Sequence, residues 1–141
     1  MRILTSAVLG LVASFTLSAC VTPDEPQANS GTCPITDAKD LNLWINGMPG
    51  PDGPVLIGIF SALAPTPGYS FKGEVTEILE SAPPSYVIEV VPTPPDGMVT
   101  QVITPTEVRV DVPIDSTEAR SVTLTCGDEA LFVVDDVTTA W

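Results

Sequence analysis

From residue 33 onward, short apolar runs alternate with polar residues and stop at proline or glycine. Leu41, Leu43 and Ile45 alternate with Asn42, Trp44 and Asn46, a period of two. The stretch Gly47-Met48-Pro49-Gly50-Pro51-Asp52-Gly53-Pro54 then breaks the chain, because no helix or central strand survives that many prolines. Val55 to Phe60 is apolar on both faces, as a central strand should be, with Gly58 marking a bulge or a close contact. Pro65-Thr66-Pro67-Gly68 is the next break. Tyr69, Phe71, Gly73 and Val75 follow in alternation with Ser70, Lys72, Glu74 and Thr76. Thr76 to Ser81 reads as one helical turn, ended by Pro83-Pro84. Tyr86, Ile88 and Val90 form the next alternating set, and Pro94-Pro95-Asp96-Gly97 turns the chain. Met98 to Ile103 reads as a strand that Pro105 ends. Val108, Val110 and Val112 against Glu107, Arg109 and Asp111 give the clearest strand with one wet face. Val122, Leu124 and Cys126 repeat that scheme, and Leu131 to Val134 is the last apolar run, closing near Val137 and Trp141.

About eight short strands at spacings of roughly 8–12 residues, with no long helical period, predict an all-β domain. The expected architecture is an antiparallel β-sandwich, immunoglobulin-like in the broad sense. A small Greek-key barrel is the alternative. Parallel α/β is excluded for want of helices.

The chain before residue 33 has a different character. Met1 and Arg2 are followed by an apolar run from Ile3 to Leu17, which is the pattern of a secretory signal peptide. The run is interrupted by Thr5, Ser6 and Ser14 and falls short of the roughly 20 apolar residues of a bilayer span. It ends in Leu17-Ser18-Ala19-Cys20, which resembles the lipobox of bacterial lipoproteins. Ordinary secretory cleavage after Ala19 would want a small residue at position 17, and leucine is bulky.

The lipoprotein resemblance covers only about the first twenty residues. It implies cleavage before Cys20, a diacylglyceryl thioether on its sulfur and usually an amide-linked acyl chain such as palmitate. Two or three chains make the attachment durable, at ~0.8 kcal/mol per buried methylene. Val21, rather than an aspartate, leans towards the outer membrane. Residues 1–19 are thus expected to be the address, 20–32 the lipidated cysteine and a tether, and 33–141 the sandwich domain. Val21 to Thr32 is polar and contains proline, glycine and serine, so it is expected to behave as flexible chain with a reach of about 20 Å. The mature part is similar to small proteobacterial lipoproteins of unassigned function.

Charge limits the partners. The 141 residues carry 5 Lys and Arg against 18 Asp and Glu, a net charge of −13. Such a surface repels nucleic acid and anionic lipid heads, so the expected membrane partner is reached through the lipid anchor. The acidity itself is read as solubility. Of the 3 cysteines, assigning Cys20 to lipid leaves Cys33 and Cys126, an expected disulfide in an oxidising compartment.

The chain contains no histidine, the commonest general base and metal ligand. With Cys33 and Cys126 bonded, no domain thiol remains as a nucleophile. No catalytic residue, metal or cofactor is therefore expected. Asp52, Asp96, Asp128-Glu129 and Asp135-Asp136 could meet around calcium, but their spacing matches no known loop. Met48 and Met98 could offer thioethers to copper(I), but are read as turn or packing residues. The proline-rich breaks are the candidate partner-binding loops, with Trp44 and Met48 at one and Pro67 and Tyr69 at the other. A stiff loop with an aromatic beside it loses little entropy on binding. The competing expectation is that Trp44 and Tyr69 simply pack into the sandwich. The functional expectation is a non-catalytic binding or structural module of the envelope, with an envelope protein as candidate partner. The alternative is a periplasmic inhibitor that presents a proline-rich loop to a protease or glycan hydrolase.

Overall fold

The computed structural model describes residues 32–48 and 50–141. Cys20, the address segment and the tether before Thr32 lie outside the described residues, as does Pro49. Eight strands follow one another: β1 (Thr36–Asn46), β2 (Val55–Ala64), β3 (Ser70–Leu79), β4 (Ser85–Thr93), β5 (Thr104–Pro113), β6 (Ser121–Cys126), β7 (Glu129–Asp135) and β8 (Thr139–Ala140). Among the described residues there is no helix.

The strands form two four-stranded sheets, β5-β2-β1-β8 and β3-β4-β6-β7. No ladder joins one sheet to the other, so the structure is a sandwich and not a closed barrel. The inner faces are alternate residues of each strand. Ile45, Leu56, Phe60, Val108, Val110 and Val112 from the first sheet meet Tyr86, Ile88, Val90, Val122, Leu124 and Cys126 from the second. Phe60 and Phe132 cross the interface edge to face, with ring centroids 5.2 Å apart.

Pairing is mostly antiparallel, but β1–β8 and β4–β6 are parallel. The second parallel pair follows from the path of the chain. β5 leaves the second sheet for the first, and β6 returns from the end where β4 began. The two strands therefore run the same way.

Two expected elements differ. Met98 to Ile103 is not a strand: no ladder partner stands beside it, and Met98, Val102 and Ile103 point into solvent. The strand begins at Thr104 instead and contains Pro105. Proline is tolerated there because β5 is an edge strand, with one side free of ladder bonds. Thr76 to Ser81 is not a helical turn, because β3 continues to Leu79. A register shift between Val75 and Glu77 interrupts the period-two alternation and hides the strand in the sequence. Gly58 lies in an unshifted stretch of the β2 ladders and marks a close contact, not a bulge. A Cβ there would lie 3.1 Å from Val110 and 3.2 Å from Leu43.

The two open sides of the sandwich are unlike. On one, β3 lies directly against β5. A Cβ on Gly73 would stand 2.5 Å from Cγ2 of Val112 and 3.0 Å from Cβ of Val110. On the other, β1 and β7 are parted by a cleft lined by Ile35, Thr36, Asp37, Ala38, Glu129, Ala130 and Leu131. β8 covers β1 only at Ile45 and Asn46. The rest of that edge carries two register shifts, with Asp37 and Asp40 at φ of 53° and 57°. Bulged acidic edges of this kind discourage pairing with another chain.

Gly73 is therefore expected to be the least replaceable glycine of the sandwich. Gly73→Ala should cost about 1–3 kcal/mol through overpacking against Val110 and Val112. Thermal unfolding would show a drop of several degrees. Gly50→Ala, where a Cβ meets nothing within 4 Å, should leave the transition unmoved.

Candidate functional site

The connections between strands fall at two ends. At the entry end the chain joins the domain through Thr32, Cys33 and Pro34. The β2–β3 turn, the β4–β5 loop and the β6–β7 turn surround it. At the far end lie the β1–β2 loop, the β3–β4 turn, the β5–β6 loop and Trp141. Strands of ten residues separate the ends by roughly 33 Å.

Cys33 and Cys126 are bonded, with Cα atoms 5.2 Å apart. Cys33 lies three residues before β1, in the first sheet, and Cys126 closes β6, in the second. The bond thus clamps the two sheets together at the entry end. Beside it opens a cleft of about 150 Å³. Its apolar wall is Pro34, Tyr69, Val91, Pro92 and Pro94, and Glu89 supplies a carboxylate. Tyr69 is half-buried, stacks on Phe71 with centroids 6.3 Å apart, and packs against the core. Pro67 is exposed in the adjoining turn. That turn rests on the next one, since a Cβ on Gly68 would lie 3.2 Å from Pro95.

The four candidate loop residues therefore do not share a surface. Pro67 and Tyr69 belong to the entry end, and Met48 to the far end. Trp44 is not on a loop at all. It lies within β1, on the face opposite the core residue Ile45, and is half-buried. Its ladder neighbour Ile57 also faces outward yet is only 8% exposed. The partner of Ile57 on β5 is Asp111, which accepts hydrogen bonds of 2.9 Å from Arg109, opposite Ile59. The carboxylates are likewise dispersed. Asp96, Asp128 and Glu129 are at the entry end, while Asp52, Asp135 and Asp136 are at the other. Among the described residues no group of three or more such side chains could hold a metal ion. Met48 and Met98 stand at opposite ends and cannot share a ligand.

One pair escaped the sequence reading. Tyr86 is buried at the start of β4, and its hydroxyl donates a hydrogen bond to Asp115 Oδ1. Burial first, then the hydrogen bond and charge of Asp115, push the tyrosine pKa well above its usual value. Tyrosine in an apolar strand was legible, but an acceptor 29 residues away was not. Ser85 and Ser121, also on neighbouring strands, bond to each other nearby at 2.9 Å.

No protein family, curated protein or solved structure matches this chain.

Two outcomes follow from these groups. Reducing the Cys33–Cys126 bond frees a loop spanning 93 residues. The chain-entropy account gives a loss of about 4–5 kcal/mol, much of a small domain's net stability. Melting should fall sharply in reductant, and thiol titration of the folded oxidised domain should detect neither cysteine. For Tyr86, the folded pKa lies above the unfolded one. Its contribution is present below about pH 10 and is lost as pH rises past the unfolded tyrosine pKa. The Tyr86 contribution should hold from pH 8 to about 10 and decline above that, and Tyr86→Phe should flatten the decline.

Proposed function

We propose that the protein is an envelope lipoprotein, anchored through lipid on Cys20, whose β-sandwich is a non-catalytic binding or structural module. The observation that carries this reading is how the chain enters the domain. The segment read as a tether meets the fold at one end, and the residue after Thr32, Cys33, is cross-linked to β6 of the opposite sheet. Tension on the chain before Cys33 would pass to β6 as well as to β1. Such a cross-link would keep β1 from being peeled away by a pull on the preceding chain. The absence of histidine from the chain and the bonding of both domain cysteines favour binding over catalysis.

The inhibitor reading keeps one specific support. The Gly47–Pro54 loop lies at the end opposite Cys33, and Met48 in it is exposed. A target enzyme approaching from the periplasm would meet that loop first. Pull-down from solubilised envelope separates the readings: a stoichiometric hydrolase favours the inhibitor, and scaffold proteins favour the module.

The anchor itself is tested in cells. Cys20→Ser should abolish incorporation of labelled palmitate and leave the precursor unprocessed. Equal labelling of mutant and parent removes the lipoprotein reading.

A further inference from the structure

The β4–β5 loop carries three of the eight large apolar side chains that stand exposed among the described residues. Met98 is 104% exposed, Val102 51% and Ile103 69%. Three large apolar side chains thus stand in water within six residues. From Gly97 to Thr106 there is no charged residue, in a chain with 18 carboxylates. The loop sits at the entry end. Its base, Pro94, lines the same cleft as Thr32, Cys33 and Pro34. Met48, Ile78, Leu79, Trp141 and the acidic pair Asp135-Asp136 are at the other end, where the exposed apolar side chains come from separate elements.

We propose that this loop is a membrane-contact element, and that Met98, Val102 and Ile103 dip into the surface of the bilayer that holds the anchor. The inference rests on the anchored reading for its biological setting. Its physical basis is separate: exposure, local neutrality and position. Apolar side chains gain by entering the boundary between headgroups and acyl chains. Three of them give only weak affinity, far too little to recruit the domain from solution. Attachment changes that balance. A linker the length of Val21–Thr32 gives an effective concentration in the millimolar range, so millimolar contacts become populated. The lipid must be neutral. Asp96, at the base of the loop, and Asp128 and Glu129, at the same end, would be repelled by anionic headgroups. Phosphatidylcholine or phosphatidylethanolamine fits the loop, and phosphatidylglycerol does not.

A second copy of the chain could also cover these side chains. It is the weaker occupant, because two acidic ends would then face each other across the contact.

The test uses two native methionines as reporters. Met48 and Met98 are the only methionines after Cys20, and they mark opposite ends. With Cys33 and Cys126 bonded, Cys20 is the one free thiol of a chain comprising residues 20–141. It can be coupled to a maleimide-bearing lipid in phosphatidylcholine vesicles, whether or not cells acylate it. Hydrogen peroxide then converts accessible thioethers to sulfoxide, read by peptide mass spectrometry. In free protein Met98 should oxidise faster than Met48, which is 58% exposed. On vesicles Met98 should slow several-fold while Met48 keeps its rate. Val102→Ser combined with Ile103→Ser should restore the fast rate, and replacing half the phosphatidylcholine with phosphatidylglycerol should restore it in part.

An unchanged Met98 rate on vesicles overturns the proposal. So does protection that grows with protein density on the vesicle, which would identify a second copy as the cover. Failure of palmitate labelling in cells with Met98 still protected on vesicles removes the anchored reading and leaves the lipid contact standing.

Discussion

Everything in this domain depends on burying the inner faces of two sheets against each other. Every second residue of β2, β4, β5 and β6 enters that layer, and the central members are essentially inaccessible to water. Short strands cannot hold their geometry alone. A hairpin in water is marginal, and only the shared apolar layer makes eight pieces into one cooperative unit. The layer also fixes register. A slip of one residue would turn Val108, Val110 and Val112 outward and bring Arg109 and Asp111 into the core. Burying those charges would cost far more than the slip could return.

The seam at Gly73 and the bond at Cys33–Cys126 close this layer in different ways. At Gly73 the missing side chain lets β3 approach β5 until Val110 and Val112 occupy its place. On the opposite side β1 and β7 have no such contact, and a cleft separates them. There the covalent bond brings the start of the chain to β6. One side is thus held by packing and the other, at one end only, by a cross-link. The acidic bulges of β1 then leave an edge that is open but poorly suited to pairing.

The sequence made the inner layer legible because alternation is a local signal. The Val108 to Val112 stretch and the Tyr86 to Val90 stretch were readable residue by residue. The disulfide was legible by parity. Elsewhere the local signal misled. Met98, Val102 and Ile103 are as apolar as a strand, yet a strand also needs a neighbour, and no local pattern records one. Pro105 looked like a terminator because its place on an edge depends on sheet order. The shift between Val75 and Glu77 erased alternation where a ladder continues. The candidate loops suffered most, because distance between loops is set by topology. Trp44 to Met48 and Pro67 to Tyr69 are close in character but lie at opposite ends of the sandwich.

That separation gives the domain a direction. At the entry end a cross-link, a cluster of prolines and an uncharged apolar loop surround the point where the chain arrives. At the far end are a glycine- and proline-rich loop, the exposed Met48, Ile78, Leu79 and Trp141, and the Asp135-Asp136 pair. Under the proposed anchoring at Cys20, the two ends would meet different surroundings: lipid and linker on one side, water and proteins on the other. Exposed apolar side chains are a liability in the second setting and useful in the first. What sets the entry end apart is that three of them stand on one stretch of ten residues without a charge, from Gly97 to Thr106, whereas those of the far end come from separate elements.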